Sequence, residues 1–330
     1  MMESDAIGGY FELELSDRGH FSHDDGYCVN SGRNALELIL RHIRDISRLW
    51  IPYYTCDVIL EPVTKLGIQY SFYHVNQDLE LSNELDLQTG EYILLTNYFG
   101  IKDRYVSDMA SKYGERLIVD NSQAYFSEPL EGIKTFYSPR KFVGVPDGGI
   151  AIIPGTEIDM SAYEQDYSYD RCSHLLKRID IGATEGYADF KQNSLVLKNQ
   201  PIRRMSRLTR AILRSVNFES VKETRLSNLH FLHENLRDRN LLRCVNEAMN
   251  STCPMVYPYI HSCIDFPIRQ QLIQNKIFVA AYWPNVHDWC SRDDIEHKLT
   301  RDVIPLPIDQ RYGEEEIKRM LVIIQKKEYA

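Results

Sequence analysis

The sequence has no paired-cysteine framework. Its seven cysteines are scattered, with no C-x-x-C pair. That excludes a disulfide scaffold and points to reduced thiols in a cytoplasmic setting. No apolar run is long enough to span a bilayer, so no membrane association is expected. No apolar stretch follows Met1-Met2-Glu3-Ser4-Asp5, so no secretory leader is expected. Positive charge is also short. Against 47 Asp and Glu stand 38 Lys and Arg, a net charge of −9, which disfavours nonspecific nucleic-acid binding. Internal repeats and low-complexity linkers are absent. What is there is 330 residues, 43% hydrophobic and 26% charged. This is the makeup of a soluble globular chain with room for one large domain and a smaller one.

Thr135 to Ile150 organises the chain. It reads as a short apolar strand, a polar turn, Lys141 among apolar neighbours, and an Asp-Gly-Gly turn into a second apolar strand. A lysine so placed is partly desolvated, which lowers its pKa and makes the amine nucleophilic. Gly148 and Gly149 let the backbone turn sharply and approach a ligand closely. Upstream, Leu117-Ile118-Val119 reads as a buried strand that Asp120 ends. In open α/β sheets, ligands sit at the carboxyl ends of strands. An acid there, followed about twenty residues later by a strand, a lysine and a Gly-Gly turn, suits pyridoxal phosphate (PLP). The carboxylate keeps the pyridine nitrogen protonated, and the lysine forms the Schiff base.

The rest of the chain supplies a scaffold for that pair. Gly9 to Leu15 alternates apolar and charged residues, as a strand or extended arm does. Asn30 and Ser31 are good cap residues for a helix whose apolar face is Ala35, Leu36, Ile39, Leu40 and Ile43. A Ser31-Gly32 turn opening that helix is an anion site, because free N–H groups point outward. Further strands are expected over Ile68–His74, Tyr92–Thr96, Val256–Ile260 and Ile277–Trp283. Helices are expected over Lys102–Tyr113, Asp265–Asn275 and Glu314–Gln325. Strands alternating with helices predict a mainly parallel sheet covered on both faces. Between Asp159 and Gln200 the pattern predicts loops and short helices. Arg203, Arg207, Arg210 and Arg214 are spaced as one basic stripe on a helix. That stripe reads as a solvated face or as a patch for an anionic substrate. His230, His233 and Glu234 share a helix face without further ligands, so no metal site is expected.

Taken together, these motifs resemble the DegT/DnrJ-type sugar aminotransferases, PLP enzymes of the aspartate-aminotransferase fold. The family's D-x-x-Q-A, lysine and G-E-G-G correspond to Asp120-Asn121-Ser122-Gln123-Ala124, Lys141 and Pro146-Asp147-Gly148-Gly149. Its S-G-T-x-A-L corresponds to Ser31-Gly32-Arg33-Asn34-Ala35-Leu36, with Arg33 in place of the threonine. The resemblance implies an α/β fold with a large PLP-binding domain over 1–215 and a smaller α+β domain over 216–330. It implies Lys141 as Schiff-base lysine and proton carrier, with Asp120 on the pyridine nitrogen. Gln123 would meet the ring oxygen, and Ser122 would lie under the ring. Ser31, Gly32, Arg33 and Ser138 would hold the phosphate. Cys56 takes the place of the ring-stacking residue, which leaves Tyr53 or Tyr54 to supply an aromatic. Tyr54, Arg203 and Arg204 are the expected substrate contacts. Phe136 stands where many members have a phosphate-binding serine, and Ile202 where they have an asparagine from the partner subunit. The implied reaction is amino transfer to a nucleotide-linked keto sugar from glutamate or glutamine, in a cytoplasmic homodimer. Histidine replaces the lysine in the dehydrating branch, so Lys141 favours transamination. The departures at Cys56, Phe136 and Ile202 motivate a rival reading, a non-catalytic relative that binds PLP or a sugar nucleotide.

Overall fold

The computed structural model describes residues 7–250, 253–261 and 267–325. The expected helix over Asp265–Asn275 therefore has its first two residues outside the described ones. Seven strands form the main sheet: β1 Tyr27–Val29, β2 Arg48–Pro52, β3 Gln69–Tyr73, β4 Glu91–Thr96, β5 Leu117–Asp120, β6 Lys134–Tyr137 and β7 Gly149–Ile152. Their spatial order is β1-β7-β6-β5-β4-β2-β3. The run from β6 to β3 is parallel throughout, and β7 is antiparallel to both of its neighbours. β5 shows why: all four of its residues are buried, as a strand covered on both faces requires. Register places Thr96, Asp120 and Phe136 side by side at the carboxyl ends of β4, β5 and β6.

The α-helices that interleave and follow these strands are α1 Gly32–Arg41, α2 Leu60–Lys65, α3 Asp103–Tyr113, α4 Ser173–Asp180, α5 Ala183–Val196, α6 Arg207–Ser215 and α7 Phe218–Leu236; α1 packs on β6 and β7, α2 on β3 and α3 on β5. Beyond them, β8 Val256–Tyr259 pairs antiparallel with β9 Ile304–Pro307. Near this pair lie α8 Ile268–Gln274, α9 Val286–Trp289, α10 Ile295–Asp302 and α11 Glu314–Gln325. One apolar core joins the two regions. It runs from Leu95, Tyr54 and Tyr98 to Leu229, Leu232 and Tyr257.

The structure revises several local expectations. Ile277–Trp283 is irregular, with Lys276 and Trp283 both at positive φ, so the apolar run is broken at each end. Gly9–Leu15 is an irregular arm without a partner strand among the described residues, and Tyr10 and Phe11 stand in solvent at 99% and 92% exposure. The stretch from Asp159 to Gln200, expected as loops and short helices, contains α4 and the 14-residue α5, which pack together as a helical pair. Gly186 permits that packing, since a Cβ there would come within 2.9 Å of the His174 carbonyl oxygen. The arginine stripe is shorter than its spacing suggests. Ser206 caps α6, so Arg203 lies before the helix on a segment that bridges to β1.

Candidate functional site

At the carboxyl end of β5, Asp120 is buried and accepts a hydrogen bond from the Ser122 N–H at 2.8 Å. The turn after β6 brings Lys141 over this point. Lys141 is exposed as a residue, yet its amine is directed inward, where Nζ donates to Ser122 Oγ at 2.8 Å. Burial of the amine lowers its pKa, and the charges of Asp120 and Cys56 oppose that shift. Burial raises the Asp120 carboxyl, opposed by Lys141 and by hydrogen bonding to Ser122. Burial likewise raises the Cys56 thiol, against which the Lys141 charge acts. Lys141, Asp120, Ser122 and Cys56 thus form one electrostatic group, assembled from β5 and the two turns after β2 and β6. A lysine whose charged form is disfavoured, next to a carboxyl able to hold a proton, suits covalent amine chemistry and proton transfer.

Beside this group is a cradle at the start of α1. A Cβ on Gly32 would stand 3.4 Å from Ser138 Cβ and 3.6 Å from Ser138 Oγ. Ser138 therefore faces the open N–H groups of the first turn, which is anion-binding geometry. The Ser31 hydroxyl is taken by the helix itself: it accepts from Asn34 N–H at 3.2 Å and donates to Asn34 Oδ1 at 2.6 Å. β7 closes the cradle from behind, with the Gly148 N–H donating to Asn30 O at 3.0 Å. Asp147, fully buried, anchors this end of β7. It accepts from Ser206 Oγ, Thr209 Oγ1 and Arg171 Nη2, the last at 2.9 Å.

On the far side, Gln123 is buried. Its Oε1 is held by the Phe99 N–H at 2.9 Å, which leaves Nε2 without a partner among the described residues. An orphaned buried donor costs free energy unless a ligand satisfies it. Phe99, at φ 57°, is thus a positioning residue; in the sequence it lies in the Tyr98-Phe99-Gly100 turn after the strand that ends at Thr96, where the family has a similar turn. An anion cradle, a pendant amine, a buried carboxyl and an unpaired amide donor are the groups that PLP requires, so these residues fit that cofactor.

Other expected contacts are not brought here. Tyr54 is 0% exposed, with its ring edge-on to Trp283 and tilted against Tyr98, so it is core and offers a substrate no face. Arg33 points its guanidinium to Glu61 at 3.1 Å and to the Leu197 carbonyl at 3.0 Å rather than into the cradle. Arg203 pairs with Glu164 at 3.3 Å and bonds Gln200. Arg204 lies in the bridge to Val29 beside it. No hydrogen bond among the described residues links either arginine to Lys141, Asp120 or Ser122. Phe136, buried in β6, explains the shifted serine: the cradle contact falls to Ser138, two residues on.

No protein-family profile and no curated protein matches the chain. Solved structures do. PseC of Helicobacter pylori, an aminotransferase involved in the biosynthesis of pseudoaminic acid, is 14% identical over 91% of this chain and 85% of its own, at a TM-score of 0.60. A DegT DnrJ EryC1 StrS aminotransferase from Brucella abortus is 16% identical over 92% and 86%, at 0.60. NtdA from Bacillus subtilis, with bound cofactor PMP, is 14% identical over 91% and 72%, at 0.62. The chain has the fold of these aminotransferases. At such identities the likeness fixes the fold, and the chemistry has to be argued from the site.

Proposed function

We propose that the chain is a PLP-dependent aminotransferase that moves an amino group from glutamate or glutamine to a nucleotide-linked keto sugar. The observation that carries this reading is the meeting of Lys141 Nζ with Ser122 Oγ above Asp120, next to the Gly32–Ser138 cradle. PLP, when bound, supplies an electron sink for the carbon that gains or loses the amino group. The protein supplies the rest. Gly32 and Ser138 hold the phosphate. Asp120 keeps a proton on the pyridine nitrogen. The Gln123 amide and Ser122 would help hold the ring, and Ser122 steadies Lys141. Lys141 takes a proton from the donor's α-carbon and returns it, as general base and then acid. Its lowered pKa suits that work, because a free amine is present nearer neutral pH.

Exposed apolar residues support a homodimer: Ile179, Tyr187 and Phe190 on α4 and α5, and Tyr10 and Phe11 on the arm. Cys28, Cys56, Cys172, Cys253 and Cys290 are free thiols, in keeping with a cytoplasmic enzyme. No described helix is long and apolar enough to cross a membrane. The test is to add PLP and then L-glutamate to the purified chain and follow the visible absorption. A band that forms with PLP and is lost with glutamate supports the enzyme. A band that glutamate leaves unchanged would leave the rival reading, a relative that binds the cofactor without turning it over.

A further inference from the structure

Arg225 is a buried cation with an unusual set of partners. It sits on α7 at 1% exposure, and no ion pair within contact distance holds it among the described residues, although the Asp309 carboxylate is near enough to favour its charge. Its partners are neutral oxygens instead. Nη1 donates to Met255 O at 3.1 Å and more loosely to Pro254 O at 3.4 Å. Nε donates to Gln310 Oε1 at 3.1 Å, and Nη2 to the Phe142 carbonyl at 3.3 Å. The guanidinium also lies 4.8 Å from the centre of the Phe142 ring. Gln310 completes the arrangement, because its Nε2 donates to the same Phe142 carbonyl at 2.8 Å. Two side chains from distant parts of the chain therefore converge on one carbonyl, that of the residue after Lys141.

The local backbone explains why that carbonyl matters. Pro139 O accepts the N–H groups of both Phe142 and Val143, so the turn is tied on its N-terminal side. No main-chain N–H among the described residues reaches Phe142 O. Its peptide plane is held on one side by the Val143 N–H on Pro139 O and on the other by Arg225 and Gln310. Phe142, whose carbonyl is gripped, directly follows Lys141, whose amine meets Ser122 across the site. We propose that Arg225 and Gln310 are positioning residues for Lys141: by gripping the Phe142 carbonyl they fix the turn that aims the amine at Ser122 and Asp120. The inference rests on the reading of Lys141 as the reactive amine.

The test reads the lysine without the cofactor, so its failure would leave the proposed reaction standing. The full chain is freed of bound carbonyl compounds with hydroxylamine. It is then methylated with formaldehyde and cyanoborohydride over a range of pH. Labelling at Lys141 is resolved by peptide mass spectrometry. In the parent, the midpoint of the pH–rate profile at Lys141 lies below that of exposed lysines. In Gln310→Leu and Arg225→Lys it should rise toward the ordinary value by about one unit, which is about tenfold less free amine at neutral pH. Asn228→Ala is the control. Asn228 lies one turn along α7 and donates to Ile308 O and Tyr312 O, so its loss loosens the same contact without touching Phe142. It should lower thermal stability and leave the Lys141 midpoint in place. Gln310 is only partly buried, so its variant decides the matter if Arg225→Lys fails to fold. An unchanged midpoint in a folded Gln310→Leu protein, or an equal shift in Asn228→Ala, would overturn the assignment.

Discussion

Gly149 runs so close to the start of α1 that a Cβ on it would stand 2.2 Å from the Ser31 carbonyl oxygen and 2.6 Å from the Gly32 nitrogen. Both neighbours are backbone and cannot swing aside. Gly149→Ala must therefore push β7 away from α1 and open the cradle. Overpacking of this kind costs about 1–3 kcal/mol, so urea unfolding should show a clearly lower midpoint.

Gly32→Ala makes the complementary case. Its Cβ would meet Ser138 at an ordinary 3.4 Å, and alanine favours a helix over glycine by about 0.5–1 kcal/mol. Folding should be unharmed. The methyl group would nevertheless stand between the first-turn N–H groups and Ser138. PLP affinity, followed by absorbance titration, should fall by about tenfold or more, or about 1.4 kcal/mol. Unchanged affinity would remove the phosphate from this cradle.

Lys141→Ala should fold and lose the visible band formed with PLP, together with any transamination. Among the described residues the side chain makes one hydrogen bond, to Ser122, and the residue is exposed, so its loss leaves the core intact. Circular dichroism would confirm folding, and an absorbance scan with PLP would read the site. A mutant that keeps full activity would mean that another amine carries the chemistry.

What the sequence made legible follows from how local each signal is. Asp120 closes a continuous buried strand, and Lys141 stands between a strand and a Gly-Gly turn, so both could be read over a few neighbours. Ser138 was named from the sequence through the family resemblance, while its approach to Gly32 is a matter of packing that no local pattern encodes. Tyr54 misled because an aromatic after a strand reads alike whether it faces a ligand or the core, and Trp283 decides that from far along the chain. α5 was illegible for another reason. Tyr187, Phe190 and Leu195 are exposed on it, so it lacks the one-sided apolar pattern that marks a surface helix. Arg225 and Gln310 reach Phe142 across 83 and 168 residues, and no local pattern encodes such a contact.

The apolar surface of α4 and α5 bears on assembly. Ile179 is 82% exposed, and Tyr187 and Phe190 are 56% and 46% exposed. Tyr187 and Phe190 also stack at 6.3 Å, and exposed apolar side chains that gather on one surface mark association surfaces. The parent chain should run as a dimer in light scattering at micromolar concentration. Ile179→Glu with Phe190→Glu should give a folded monomer. A parent that is already monomeric and active would remove this expectation.

Asp147 gives the fold a pH dependence of known sign. It shares the Arg171 guanidinium with Asp166, at 2.9 and 2.7 Å. Burial is the main cause that pushes its carboxyl up to about 6. The folded state therefore holds this proton more tightly than the unfolded chain does. The resulting stability is fully present below the unfolded value, about 4, and is lost as pH rises through about 6. Asp147→Asn has nothing to ionise, so it should gain on the parent in melting temperature between about pH 4.5 and 7.5. A constant difference across that range would show that Asp147 does not titrate there.

Asp120→Asn separates the enzyme from a cofactor-binding relative. Asp120 is buried at the end of β5, its carboxyl raised by burial and restrained by Lys141 and Ser122. In the proposed site it faces the protonated pyridine nitrogen, a charge-assisted pair. The amide keeps the shape of the carboxylate and gives up its charge, so the ring nitrogen sheds its proton more readily and withdraws electrons less. Each lost ~1.4 kcal/mol of transition-state stabilisation is tenfold in rate. The half-reaction with L-glutamate should slow by at least two orders of magnitude, or about 3 kcal/mol. PLP binding should weaken far less, because the Gly32–Ser138 cradle and Lys141 are untouched. Stopped-flow absorbance after mixing the PLP-loaded protein with glutamate measures the rate, and equilibrium titration measures the affinity. If the variant converts as fast as the parent, Asp120 does not hold the ring nitrogen. If binding and rate fall together by the same factor, its role is to retain the cofactor rather than to activate it.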